Sequence, residues 1–124
     1  MAHPHEEVVR RMYGAINERD MQAFAGAFSE GAVWHGAGRS IEGRDAIWAL
    51  VSELINASRG TLEIDLHDVL ANDQHVVALQ VTRAERPERR LENAVVYVFH
   101  VIDGQITEAW FNGDPRPQDE FWST

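Results

Sequence analysis

Residues Gly31–Leu54, GAVWHGAGRSIEGRDAIWALVSEL, read as a short strand, a glycine-rich elbow, a second short extended piece and a long amphipathic helix. His35 lies in the strand between Trp34 and Gly36, with Gly38 close behind. Glycines around an imidazole let backbone or a ligand come near, since neither carries a Cβ. The segment is therefore expected to wall a pocket, with Trp34, Gly36 and Gly38 shaping an apolar slot beside His35. In the helix, Ile47, Leu50, Val51 and Leu54 recur on one face, with Trp48 at its border. Gly60 stands where a left-handed residue would end it.

Towards the N-terminus, Pro4 suits the first helical position, and Glu6 and Glu7 fall in the positively polarised first turn. Val9, Met12, Tyr13 and Ile16 make one apolar stripe, so a helix is expected over roughly 4–18. Asp20 can cap a second helix whose stripe is Met21, Phe24, Ala25 and Phe28.

Beyond Thr61 the period changes to two. Leu62, Ile64 and Leu66 alternate with Glu63, Asp65 and His67, the pattern of a half-buried strand. After a turn at Asn72-Asp73-Gln74, the strands from His75 to Arg83 and from Asn93 to Ile102 are apolar on both faces. Between them AERPERR, Ala84–Arg90, reads as a charged hairpin loop in which Pro87 breaks the ladder. Asp103-Gly104 is a two-residue hairpin signal leading into a last strand, Gln105–Asn112. The tail GDPRPQDEFWST is expected to lie over the surface, anchored by Phe121 and Trp122.

Helix, helix, short strand, helix and a four-strand antiparallel meander indicate an α+β fold in one domain, residues 1–124. The three helices cover one face of a curved antiparallel sheet, and the interior between them can hold a ligand. Strands apolar on both faces call for cover on the outside too. A second copy supplies it most simply, so a homodimer through the outer sheet face is expected.

The net charge of −9 argues against nucleic-acid partners and anionic membrane surfaces. No apolar run reaches transmembrane or signal length, which points to the cytoplasm. There is no cysteine, which removes disulfides, thiolate nucleophiles and Cys-based metal sites. All 11 cationic residues are arginine, so Schiff-base chemistry on lysine is excluded, and a GC-rich bacterial genome is suggested. No histidine pair at helical spacing, phosphate loop, dinucleotide fingerprint or nucleophile elbow is present, so neither a metal nor a cofactor is expected.

Five phrases carry a resemblance to a known family: AINERD (Ala15–Asp20), FSEGAVWHG (Phe28–Gly36), IEGRDAI (Ile41–Ile47), VVYVFHVIDGQITEAW (Val95–Trp110) and GDPRPQDEFW (Gly113–Trp122). Over essentially its whole length the chain resembles the nuclear-transport-factor-2-like (NTF2-like) superfamily, and within it the SnoaL-like polyketide cyclases and ketosteroid isomerases. The resemblance implies a cone-shaped fold around a pocket for a small hydrophobic organic ligand. The general-base Asp of the isomerases falls at His35. Their first-helix oxyanion Tyr falls at Met12, beside Tyr13, and their second oxyanion donor at Tyr97. The Asp that follows the last-strand Trp in the cyclases is Phe111 here. The Arg and Asp pattern of limonene epoxide hydrolases has only a local echo in Arg90 and Glu92.

An imidazole suits proton transfer near neutral pH. Alternation puts Asn93, Val95, Tyr97, Phe99 and Val101 on one face of their strand, and His100 on the other. With Tyr97 pointing inward, His35 is expected to remove a proton alpha to a carbonyl while Tyr97 steadies the enolate. Asp114, before Pro115, is either a turn cap or a pocket acid that polarises His35. Met12, Tyr13, Ile16, Trp34, Val51, Asn93, Val95, Phe99 and Phe111 complete the expected ligand wall. His67 and His75 read as solvated surface groups, and His3 and His5 as part of a mobile terminus. The leading expectation is a cofactor-independent isomerase or cyclase acting on a small hydrophobic carbonyl compound. The alternatives are a non-catalytic small-molecule-binding or accessory module and, more distantly, an epoxide hydrolase.

Overall fold

A computed structural model of the chain describes residues 3–36 and 38–123. Helices α1 (Pro4–Glu18) and α2 (Met21–Ala27) lead into strands β1 (Phe28–Gly36) and β2 (Arg39–Glu42), then α3 (Arg44–Ala57). Strands β3 (Glu63–Ala71), β4 (Val76–Arg86), β5 (Arg89–Ile102) and β6 (Gln105–Asn112) follow, and α4 (Arg116–Trp122) closes the chain. All the strands join one six-stranded sheet in the order β2-β1-β6-β5-β4-β3. The β3 to β6 meander is antiparallel, as the alternation implied, whereas β1 runs parallel to β6. Among the described residues, no helix is long and apolar enough to cross a membrane.

Local chemistry fixes the helix ends. The Asp20 carboxylate accepts from the Ala23 amide at 3.1 Å, the cap its position suggested. Arg19 turns left-handed after α1, and its guanidinium donates to the carbonyls of Ile16, Gly60 and Leu62, which ties α1 to the segment behind α3. Asn17 behaves as a one-residue strand partner. Its amide donates to the Ile64 carbonyl and accepts from the Ile64 amide, both at 2.8 Å, which satisfies part of the free β3 edge.

Two expectations are corrected. Phe28 opens β1 instead of ending α2, and Met21 is 55% exposed, so the α2 face buries Phe24 and Ala27. Seven residues are too few for a full stripe. Ala84–Arg90 is no loop: the β4–β5 ladder runs on to Arg86 opposite Arg89, and Pro87-Glu88 form the turn, with Glu88 at φ 66°. Proline occupies the one place where the ladder needs no donor. The tail folds as α4, with Pro117 in its first turn and Phe121 buried as the anchor it was expected to be.

The sheet separates two environments. Val76, Ala78, Phe99, Ile106 and Ala109 face the helices and are buried, with Met12, Tyr13, Ile16, Phe24 and Ile47 above them. On the outer face Val77, Leu79, Val81, Val96, Val98 and Trp110 remain half-exposed. This is the two-sided apolar pattern read from the sequence.

Candidate functional site

The hollow between the sheet and α4 has a volume of about 190 Å³. Trp34, Gly36, Tyr97 and Phe111 form its floor on the inner face of the sheet, and Leu50 and Leu54 of α3 form one side. Pro115, Gln118, Asp119 and Trp122 close it from α4 and the turn before it, and Arg39 and Ile41 of β2 complete the rim. The register explains the floor: Tyr97 lies opposite Phe111, and Trp34 opposite Ile41. Trp34 packs on Tyr97 with ring centroids 4.9 Å apart, and Phe111 meets Tyr97 edge-on at 5.5 Å. A wider hollow between α1 and α2, about 510 Å³, is lined largely by Gly14, Ala15, Ala23, Gly26 and Ala27. Arg11 and Glu18 are its only charged lining residues and no aromatic ring faces it, so the aromatic hollow is the candidate site.

Its electrostatics are those of a donor site. Burial pushes the Tyr97 hydroxyl up to about 12, with the neighbouring Trp34 indole N–H pulling the other way. Tyr97 is therefore protonated across the physiological range and serves as a hydrogen-bond donor, not a base. The indole can only donate, so it does not compete for the Tyr97 proton. Tyr13 lies behind it, fully buried, with its hydroxyl raised well above the usual phenol range by burial and by Tyr97. Neither the Tyr13 hydroxyl nor the Trp122 indole N–H finds a partner among the described residues.

His35 is not in this site. Strand neighbours face opposite ways, so with Trp34 directed inward His35 points out of the outer face. There it stacks on Trp110 at 5.5 Å and 16°. Its Nε2 donates to Glu108 Oε2 at 2.6 Å. A carboxylate only accepts, so Nε2 carries a proton, and Nδ1 lies 2.8 Å from the Ser40 hydroxyl. The expected pairing of His35 with Tyr97 therefore does not form: the sheet lies between them. Glu108, the partner His35 does have, is 73 positions away and meets it only through the parallel β1–β6 pairing.

Asp114 also departs from the pocket-acid reading. Arg116 grips it from the side chain, at 2.8–3.1 Å, and from the backbone amide, at 3.0 Å. The side-chain hydrogen bonds from Arg116, then the backbone one, hold its carboxyl down at about 2. A depressed carboxyl favours the folded chain above the unfolded value of about 3.9 and loses that contribution as pH falls towards 2. The group is exposed, so the contribution is small. An NMR titration of the side-chain carboxyl carbons is expected to find Asp114 among the lowest midpoints, and Arg116→Gln to raise it.

Of the remaining expected ligand wall, Trp34, Tyr97 and Phe111 line the hollow. Met12, Tyr13, Ile16, Val51 and Phe99 lie in the packed core around it, not on its surface, and Val95 is buried beside Gly113. Asn93 is buried and donates to the Asp114 carbonyl at 3.2 Å, holding the turn before α4. Arg90 and Glu92 meet at 3.6 Å in the exposed hairpin, away from the hollow. Trp122, Asp119, Gln118 and Arg39 were missing from the expected set. Pro115 and Pro117, which favour a helix start, were the signal for the element that carries three of them.

Comparison with known proteins agrees with this architecture. Residues 9–109 match the SnoaL-like domain. The chain belongs to the SnoaL-like family. It is 27% identical to the uncharacterised protein Rv0034 of Mycobacterium tuberculosis, over 94% of this chain and 95% of that protein. Bal32a, from a soil-derived mobile gene cassette, superimposes with a TM-score of 0.91 and 32% identity over 97% of each chain. An NTF2-like protein from Burkholderia pseudomallei, 16% identical, superimposes at 0.82 over 99% of this chain and 100% of that one, a likeness of fold. The SnoaL-like chain thus has the NTF2-like α+β architecture, with its N-terminal helices packed on a mixed, mostly antiparallel sheet.

Proposed function

We propose that this SnoaL-like protein binds a small, planar, largely apolar molecule carrying an acceptor oxygen, a carbonyl compound above all. The observation that carries this reading is the pairing of an aromatic hollow with the Trp122 indole N–H, buried with no partner among the described residues, beside a Tyr97 hydroxyl that burial keeps protonated. Buried donors left unpaired cost stability unless a ligand takes them up. At about 190 Å³ the hollow lies below the roughly 300–1,000 Å³ of sites for drug-sized ligands, so its occupant has about one or two rings.

A matched pair of probes tests it. 1-Indanone is expected to bind more tightly than indane, which has the rings without the oxygen. Tyr97→Phe is expected to weaken indanone by about tenfold and leave indane unchanged, the loss of one hydrogen bond. Equal losses for both probes would reduce Tyr97 to packing and overturn the donor role.

A catalytic reading has one observation in its favour. Asp119 is the only carboxylate among the described residues on the wall of the hollow. With Tyr97 donating to the carbonyl oxygen, the Asp119 carboxylate could take a proton from the adjacent carbon, and the enolate oxygen would keep the Tyr97 hydrogen bond. This isomerase or cyclase chemistry needs Asp119 in the role first assigned to His35. Deuterium uptake at the alpha carbon of bound indanone, lost in Asp119→Asn and retained in His35→Ala, supports it. No uptake above the uncatalysed rate leaves the binding module.

A further inference from the structure

The outer face of the sheet holds a second arrangement, remote from the aromatic hollow. His75 directly precedes β4 and His100 lies in β5. The pairing of Val76 with Phe99 places the two imidazoles side by side. Their ring centroids are 4.6 Å apart, and the two Nε2 atoms face each other at 2.9 Å. Both rings are braced. The Trp110 ring meets His100 edge-on at 4.8 Å. The turn below His75 is fastened by Asn72, whose side-chain oxygen accepts from the backbone amides of Gln74 and His75 and whose backbone N–H donates to the His75 carbonyl.

Two neutral imidazoles can meet in this way only if one carries its proton on Nε2 and the other does not. A metal ion would engage both lone pairs. Nitrogens that each lie about 2.0–2.1 Å from one ion, at a right angle, are about 2.9 Å apart, whereas tetrahedral ligands spread to about 3.3 Å. The two Nε2 atoms are thus close enough to serve as neighbouring ligands of one ion, and imidazole nitrogens bind Cu(II) more strongly than Zn(II).

We propose that His75 and His100 chelate one divalent transition-metal ion through their Nε2 atoms, Cu(II) in preference to Zn(II). Among the described residues, no group of three or more His, Cys, Asp or Glu side chains converges as a metal cage. The chelate is thus two-coordinate from protein, with positions left for water or an added ligand. Helical spacing along the chain could not reveal it, because the two residues are 25 positions apart and meet across strands.

The test is a titration of the folded chain with Cu(II), Ni(II) and Zn(II) salts, read by calorimetry and, for Cu(II), by electron paramagnetic resonance. His3 and His5 are replaced by alanine throughout, so that the N-terminal imidazoles do not compete. The expected result is one Cu(II) per chain with nitrogen superhyperfine lines. Zn(II) is expected to bind about tenfold more weakly, and His75→Ala or His100→Ala to lose about tenfold or more in Cu(II) affinity. His75→Gln replaces the alanine variant if circular dichroism shows that alanine disturbs the turn. Cu(II) affinity unchanged in both single variants, or Zn(II) bound as tightly as Cu(II), overturns the proposal.

Discussion

Phe99→Ala is expected to lower the unfolding free energy by about 3–5 kcal/mol, the cost of emptying a filled aromatic position. Phe99 is fully buried at the middle of β5, between Val76 of β4 and Ala109 of β6. Its ring meets Tyr13 edge-on at 6.0 Å and packs near Trp34 at 6.1 Å and Tyr97 at 6.0 Å. Removing it deprives the floor of the hollow of its support. Urea denaturation checks this as a fall in midpoint at unchanged slope. Phe99→Leu, which keeps most of the volume, is expected to lose much less. A loss under about 1 kcal/mol for the alanine variant would contradict the packing described for this core.

Tyr13→Phe is expected to do the reverse and stabilise the unliganded chain by about 1–2 kcal/mol. The Tyr13 hydroxyl is buried with no partner among the described residues, so the native chain bears the desolvation of a polar group without the hydrogen bond that would offset it. Phenylalanine keeps the ring and its contact with Phe99 while deleting the orphan oxygen. Thermal unfolding of the two forms decides the sign. A lower melting temperature for the variant would mean that the hydroxyl is satisfied in solution. A buried polar atom kept at a cost to stability is the kind of local inconsistency found around functional sites.

The fold was legible in the sequence because its signals are local and periodic. The stripe Val9, Met12, Tyr13 and Ile16, the cap at Asp20, the alternation from Leu62 and the turn at Asp103-Gly104 each imply an element by themselves. In the structure Asp103 and Gly104 adopt the two positive φ values, 52° and 77°, that such a hairpin requires. The strands' apolar outer row, Val77, Leu79, Val81, Val96 and Val98, was legible for the same reason.

The site was legible only in part. Tyr97, Trp34 and Phe111 follow from strand alternation once the inner face is known. His35 was misplaced although alternation was available: the residue after an inward Trp34 must face outward, and the flanking glycines drew attention to the wrong side. The meeting of His35 with Glu108 depends on the parallel β1–β6 contact, which leaves no local mark on either strand, and the pairing of His75 with His100 depends on the register of β4 against β5. Asp119 and Trp122 were missed because a seven-residue helix is too short for a periodic pattern.

The central claim is that ligand occupies the inner hollow beneath α4 and not the outer face that carries His35. The chain has four tryptophans, each with one indole N–H signal: Trp34 and Trp122 on the hollow, Trp48 against Phe24 beside the core, and Trp110 stacked on His35. Titration of 15N-labelled protein with 1-indanone is therefore the most direct measurement. The expected result is that the Trp34 and Trp122 signals move together and saturate, while Trp110 stays in place and His35→Ala leaves the affinity unchanged. Movement of Trp110 with Trp34 and Trp122 unmoved, and binding lost in His35→Ala, would contradict the account and return the site to the outer face.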